Sequence, residues 1–136
     1  MKAATLKTPP YSEITHQIRV SVRPKVIKKD SDPQNGVYAF GYTVKIENLG
    51  CDTVQLLERH WKVTSAEVQI AEVVGPGVVG EQPVLEAGQS FEYSSGTVIN
   101  DPFGWMEGTY TFRANGGKFL QVTIPRFELF YPLVLH

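Results

Sequence analysis

The sequence predicts an all-β protein built from two antiparallel sheets packed face to face as a sandwich. Several short segments alternate apolar and polar residues, which is the pattern of a strand with one buried face. Turn-forming residues separate these segments at intervals of roughly 8–12 residues, the spacing typical of a sandwich. No long segment keeps a helical period and no strand–helix–strand alternation is visible, so we do not expect a doubly wound parallel sheet.

The clearest pair of strands lies early in the chain. Residues 18–23 alternate apolar and polar side chains, and we expect Pro24 to limit this strand because proline cannot donate to a sheet ladder. The turn-forming run 30–36 leads into a strand over residues 37–47, and the two strands are predicted to form a hairpin. One face of the second strand is entirely apolar and comprises Tyr38, Phe40, Tyr42, Val44 and Ile46.

The central segments also favour strands. The apolar phase of residues 53–64 slips between Leu56 and Leu57, which predicts a bulge or burial on both faces. Residues 68–74 form the next predicted strand, and the run Gly75-Pro76-Gly77 ends it.

The last third continues the pattern. Residues 90–94 alternate as a short strand, whereas Pro102, Gly104 and Gly108 predict a loop. A hairpin is then expected around Asn115-Gly116-Gly117, because Asn-Gly between alternating segments is a strong hairpin signal.

The chain of 136 residues suits one domain. Seven or eight short strands predict a sandwich of immunoglobulin or fibronectin type III character over residues 12–136, preceded by a flexible segment, residues 1–11. The mostly apolar residues 125–136 are expected to pack on the sandwich or on a partner, since a free apolar tail is costly in water.

Charge and cysteine content narrow the function classes. Thirteen basic and fourteen acidic residues give a net charge of −1, which argues against broad nucleic-acid binding. The single cysteine, Cys51, cannot form an internal disulfide. The first ten residues lack the apolar core of a signal peptide, and no apolar run reaches the ~20 residues of a membrane helix. We therefore expect a soluble cytoplasmic protein without membrane insertion.

Residues Gly75, Gly77 and Gly80 belong to a glycine-rich run that matches the spacing G-x-G-x-x-G. In dinucleotide sites this spacing joins a strand to a helix, but Val78, Val79 and Pro83 make a poor helix start. The run is interpreted as a loop between strands, whose successive backbone N–H groups could form an anion-binding nest.

Arg59 and His60 are the candidate ligand or partner surface. Neighbouring residues of a strand point to opposite faces, so His60 should share a face with Glu58, and Arg59 should share the other with Trp61. Trp61 is predicted to be a core residue with Arg59 at its rim. No nucleophile or second base stands at a recognisable spacing, so we assign no catalytic residue.

Metal ligation is not predicted either. His16, His60 and His136 are far apart in sequence, and Cys51 has no second cysteine. Asp30 and Asp32 are interpreted as turn residues. The sequence thus predicts no metal site and no cofactor.

The order of these segments resembles the bacterial ApaG family. The similarity begins at Ser12, is most recognisable over Gly77–Pro83, and ends at Leu135-His136. The other matching segments are 18–20, 40–48, 54–61, 91–93 and 124–127. One local departure is Ser65-Ala66-Glu67, where the family usually has an Asp-rich turn with glycine.

This resemblance implies a fibronectin type III-like sandwich of a bacterial protein associated with cobalt resistance and magnesium efflux. Related domains occur in eukaryotic F-box and polymerase-interacting proteins, which suggests a protein-binding module. The family implies no catalytic residue set, and its glycine-rich stretch is the family's proposed phosphate-binding feature.

Three functions remain open at this stage. The first is a non-enzymatic module for an unknown protein partner, with a weak homodimer through an unpaired edge strand as one form. The second is a small-ligand or ion-binding protein that uses loop 75–80 for phosphate, pyrophosphate or a divalent cation. The third is a hydrolase that the sequence does not reveal.

Overall fold

A computed structural model describes residues 11–132 of the chain. Within that range the regular elements are nine strands and a few short 3-10 turns. The strands are β1 (Tyr11–Thr15), β2 (Ile18–Val26), β3 (Tyr38–Asn48), β4 (Val54–Ser65), β5 (Val68–Pro76), β6 (Val84–Leu85), β7 (Ser90–Ile99), β8 (Phe103–Ala114) and β9 (Phe119–Phe130).

The strands form two antiparallel sheets. The four-stranded sheet has the order β1-β2-β3-β7, and the five-stranded sheet has the order β5-β4-β8-β9 with β6 paired to the start of β4. The predicted all-β sandwich is therefore confirmed. β1 begins at Tyr11, the last residue of the segment expected to be flexible, whereas residues 1–10 lie outside the described residues.

The core forms where the apolar faces of the two sheets meet. The predicted apolar face of β3 is buried, with Tyr38 the most exposed of the five side chains at 8%. Trp61 of β4 packs against it, with its ring centroid 5.4 Å from that of Tyr42 and 5.9 Å from that of Phe127 in β9. The register of β4 against β8 shifts between Leu56 and Glu58, which confirms the predicted bulge.

Two strand boundaries differ from the prediction. Pro24 does not limit β2, because it pairs in register with Tyr42 and the strand continues to Val26. Proline is accommodated in a strand where its nitrogen needs no ladder partner. The predicted loop around Gly104 and Gly108 is wrong, since both glycines lie inside β8.

Close approach of the backbones explains why β8 carries glycines. A Cβ on Gly104 would lie 2.2 Å from the carbonyl oxygen of Thr64, and a Cβ on Gly108 would lie 1.9 Å from that of His60. Glycine in a strand interior marks such an approach as readily as it marks a turn. These two residues let β8 lie tightly against β4.

The carboxyl-terminal residues complete the second sheet. β8 and β9 form the predicted hairpin around Asn115–Gly117. Phe127 and Leu129 are fully buried, so this part of the apolar tail packs on the sandwich as expected. Residues 133–136 lie outside the described residues.

The two sides of the sandwich differ. On one side β1 lies close to β9, and the backbone N–H of Thr123 donates to Thr15 Oγ1 at 3.3 Å. On the other side the sheet edges are β5 and β7, which are not paired to each other. Loop 77–80 lies on this open side, where Val78 is completely buried.

Candidate functional site

Strand β4 points the two candidate residues in opposite directions. Arg59 pairs with Gly75 and shares its face with Trp61, so its side chain lies on the inner face of the sheet. His60 pairs with Val74 and lies on the outer face. The structure therefore places Arg59 and His60 in two separate environments, as the strand alternation indicated.

Arg59 binds the glycine-rich run at the open side of the sandwich. Its Nη1 donates hydrogen bonds to the carbonyl oxygens of Pro76, at 2.8 Å, and Gly77, at 2.9 Å. A Cβ on Gly75 would lie 3.3 Å from Nη1 of Arg59. Gly75 thus provides the space in which the guanidinium lies flat against β5.

The loop after β5 is a tight turn and not the start of a helix. Gly77 has a φ of +62°, and a Cβ there would lie 2.2 Å from the carbonyl oxygen of Glu81. Val78 and Glu81 exchange backbone hydrogen bonds of 2.8 and 2.9 Å around Val79 and Gly80, which both have positive φ. The strand–helix geometry of a dinucleotide site is therefore absent at this loop.

Most amides of the loop already have acceptors. The N–H of Gly77 donates to the carbonyl oxygen of Leu57 at 2.8 Å, and those of Val78 and Glu81 donate across the turn. Within residues 11–132 this leaves the N–H groups of Val79 and Gly80 for an anion. A backbone nest here would offer two donors, fewer than a phosphate-binding loop supplies.

A cavity of about 340 Å³ lies between the sheets beside this loop. It is bounded by β3 and β7 on one side, by β4, β5 and Met106 of β8 on the other, and by the loop at its end. Its apolar lining comprises Trp61, Val63, Val73, Val78, Val79 and Met106. Its polar lining comprises Tyr42, Arg59, Tyr93, Ser95 and Thr97.

Two tyrosines, Tyr42 and Tyr93, line the cavity. Tyr93 and Tyr110 share a short hydrogen bond between their hydroxyls, and Ser95 lines the cavity together with Tyr42. Burial raises the pKa of all three tyrosines, more than the Arg59 charge lowers it. These hydroxyls therefore stay protonated near neutral pH and serve as hydrogen-bond donors and acceptors.

His60 forms a hydrogen-bonded pair with Glu72 on the outer surface. Its Nε2 lies 2.6 Å from Oε2 of Glu72, which pairs with Lys62 and is therefore the diagonal neighbour of His60 on β5. This hydrogen bond lowers the pKa of the Glu72 carboxyl below its usual 4.5. Both side chains are well exposed, at 38% and 47%, so the pair adds little stability.

Strand β5 is an edge strand with exposed apolar side chains. It has nine residues, and among the strands of residues 11–132 it pairs with β4 alone. Four of its apolar side chains are exposed: Val68 at 65%, Ile70 at 38%, Val73 at 41% and Val74 at 65%. An edge of this length and composition is a template for pairing with another chain.

Metal and membrane features are limited in the described part of the chain. Within residues 11–132 no three His, Cys, Asp or Glu side chains are placed to hold a metal ion together. Cys51 is an exposed free thiol. No helix in this range is long and apolar enough to cross a bilayer.

Sequence reasoning missed the tyrosines and the exposed edge. The strands that hold Tyr93 and Tyr110 belong to different sheets, and the alternating pattern indicates only that each faces a core. The order of strands within a sheet has no local signal, so the position of β5 at an edge could not be predicted. The available hint was that residues 68–74 contain three valines and one isoleucine but a single charged residue, Glu72.

Comparison with known proteins gives one consistent family. A family model described as the ApaG domain matches residues 28–114. A Protein ApaG from Rhodospirillum centenum is 49% identical over 122 residues, which cover 90% of this chain and 94% of that protein. The chain belongs to the ApaG family. A Protein ApaG from Thiobacillus denitrificans is 46% identical over 121 residues, covering 89% of this chain and 95% of that protein.

The ApaG fold is also seen in a solved structure. The crystal structure of an ApaA protein from Bordetella pertussis has a TM-score of 0.82 and 38% sequence identity to this chain. The match covers 93% of this chain and 100% of that one. The family resemblance inferred from the sequence is therefore confirmed, and the shared architecture extends over both sheets of the ApaG domain.

Proposed function

We propose that this ApaG domain is a non-enzymatic cytoplasmic module that binds another protein along strand β5. The single observation behind this proposal is the unpaired edge of β5, where Val68, Ile70, Val73 and Val74 are exposed. Natural proteins usually protect such edges with short strands, prolines or inward-pointing charges. Here Pro76 blocks the end of β5, but Glu72 is the sole charged side chain within it.

The partner would contribute an extended segment as an additional strand. Backbone hydrogen bonds to β5 would supply affinity, and alternate apolar side chains would pack on the exposed valines. A net charge of −1 and the acidic Glu72 on this edge argue for a protein segment and against nucleic acid.

A second copy of the chain is a less suitable partner. If two β5 strands paired antiparallel with full overlap, Glu72 would lie opposite Glu72 of the other copy, and Val68 opposite Pro76. Like charges directly opposite each other are destabilising, and proline lacks the N–H that the ladder needs. A homodimer would therefore be weak, while a different sequence avoids both conflicts.

The family's association with cobalt resistance and magnesium efflux fits a binding module when the partner carries the cation chemistry. Under this proposal the ApaG domain would act by recruiting or regulating that partner. No catalytic role is proposed for any of its residues.

The test is a pull-down from native cytosol with matched variants. Val74→Lys places a charge on the outer face of β5, and Val84→Lys places the same charge on β6, where the side chain is 54% exposed. We expect a saturable partner that Val74→Lys loses and Val84→Lys retains. Retention by both variants, or the absence of any saturable partner, would contradict the proposal.

A second candidate is binding of phosphate, pyrophosphate or a divalent cation at loop 75–80. The observation in its favour is that Val79 and Gly80 border the same cavity as Arg59. Amide-shift titration with Mg²⁺, Co²⁺, pyrophosphate and ATP tests it directly. Unchanged amide shifts around Gly77 at millimolar ligand would remove this candidate.

A further inference from the structure

Arg59 carries a charge that no described carboxylate neutralises. Its side chain is partly buried, yet the ion pairs within residues 11–132 are Arg19–Glu47 and His60–Glu72. Removing a cation from water is unfavourable unless an anion or enough hydrogen-bond acceptors replace the lost hydration. The environment of Arg59 therefore favours an anion from outside the domain.

The guanidinium retains the donors that such an anion needs. Both of its hydrogen bonds within residues 11–132 start from Nη1, and they fix the group against Pro76 and Gly77. The other side of the guanidinium, formed by Nε and Nη2, has two parallel N–H groups that remain available to a ligand. This fork matches the two oxygens of a carboxylate. The contacts that hold Nη1 also orient the fork in advance, which reduces the entropy lost on binding.

The cavity next to Arg59 is suited to the apolar remainder of a ligand. Trp61, Val63, Val73 and Met106 line it, and its volume of about 340 Å³ is near the lower end of the range for small-molecule sites, roughly 300–1,000 Å³. An apolar wall with one charged group and a few hydroxyls is the usual composition of such a site.

We propose that this cavity binds a small organic carboxylate, with the Arg59 fork on the carboxylate and the apolar wall around the hydrophobic body. One guanidinium balances one negative charge, whereas a phosphate monoester carries about −1.5 to −2 at pH 7. The proposal goes beyond strand pairing at β5, and it does not depend on the backbone N–H groups of Val79 and Gly80.

The test is an amide-shift titration of the full chain with benzoate. Benzamide is the neutral control of the same shape, and pyrophosphate is the control for binding by the loop. We expect saturable shifts at Ser95, Gly96 and Gly80 with benzoate, and at least about tenfold weaker binding of benzamide because the charge-assisted pair is missing. Equal binding of benzoate and benzamide would overturn the proposal. Saturable shifts with pyrophosphate but not with benzoate would also overturn it.

Two substitutions separate a specific site from a general surface effect. Ser95→Phe fills the mouth of the cavity and leaves Arg59 in place, while Ser94→Phe places the same ring on the opposite face of β7. We expect Ser95→Phe to abolish the benzoate shifts and Ser94→Phe to leave them. If Ser95→Phe still binds benzoate with the original affinity, or if Ser94→Phe abolishes binding equally, the site is not this cavity.

Arg59→Met tests the charge itself. It should weaken benzoate at least about tenfold and leave benzamide unchanged, because only benzoate uses the fork. This substitution also removes the ties to Pro76 and Gly77, so the benzamide result shows whether the cavity is still formed. A variant that binds both compounds as the natural protein does would refute the role of Arg59.

Discussion

Replacing Gly108 with alanine should destabilise the ApaG domain through a single backbone contact. The added Cβ would lie 1.9 Å from the carbonyl oxygen of His60, 3.0 Å from its carbonyl carbon and 3.2 Å from Cα of Trp61. The first distance is more than 1 Å shorter than an ordinary van der Waals contact, about 3.5 Å between non-bonded heavy atoms. Because the atoms that obstruct are backbone, no side chain can move aside.

The structure can relieve this contact only by separating β8 from β4. These two strands hold Trp61 and Tyr110 in the core, so the separation would disturb their packing. Overpacking of this kind costs about 1–3 kcal/mol, and the absence of a flexible neighbour places Gly108→Ala toward the upper end. For a domain of this size, each 1 kcal/mol lowers the Tm by about 2–6 °C.

Gly41→Ala is the matched control, because Gly41 also lies inside a strand. There the nearest atom to an added Cβ is Cδ1 of Ile27 at 3.2 Å, the end of a flexible side chain. We expect this variant to change stability by less than about 1 kcal/mol, with a small gain from the stiffer unfolded chain. Urea denaturation of the natural protein and the two variants measures the difference in stability, provided that the three m-values are equal. If Gly108→Ala is as stable as Gly41→Ala, the close approach of the backbones is not the reason for the glycine.

Three further predictions follow from individual side chains. Trp61→Ala should lower the free energy of unfolding by about 3–5 kcal/mol in urea denaturation, since it leaves a large core cavity. The raised pKa values of Tyr93 and Tyr110 imply that the stability they confer is complete below pH about 10 and is lost above it, as unfolded tyrosines ionise first. Urea midpoints measured up to pH about 11 should therefore fall less steeply in the variant with both tyrosines replaced by phenylalanine. The Glu72 carboxyl should titrate below 4.5 in carbon NMR, and His60→Asn should raise its pKa; an unchanged pKa would refute the pairing. Because the folded pKa is lowered, the small stabilisation from Glu72 is present above the usual carboxyl pKa and is lost as the pH falls.

The sequence was informative where one strand face has a single chemical character. Tyr38, Tyr42 and Ile46 belong to a row of apolar residues at alternate positions. This row by itself predicts both the strand and its buried face. The bulge after Leu56 was predicted for the same reason, since a one-residue phase slip needs an extra residue in the ladder. Arg59 and Trp61 were assigned to one face on period alone, and that assignment is consistent with the structure.

Prediction failed where one residue type serves two purposes. Glycine marks a turn at Gly36 and Gly77, where φ is positive, but it marks close strand contact at Gly104 and Gly108. The local sequence cannot distinguish these uses, because the obstructing carbonyl oxygens belong to β4, which lies about forty residues earlier in the chain. The cavity was not predictable for the same reason. Its walls come from β3, β4, β5, β7 and β8, and their adjacency depends on the strand order.

The two proposed binding features are physically connected because β5 belongs to both. Val73 lines the cavity, whereas the neighbouring Val74 faces outward on the edge that a partner strand would cover. Arg59 joins the two by holding the end of β5 through Pro76 and Gly77. A ligand that fixes Arg59 would therefore stiffen the strand that the partner pairs with. Thermodynamic linkage requires the effect to be reciprocal, so any gain in partner affinity from a carboxylate must equal the gain in carboxylate affinity from the partner.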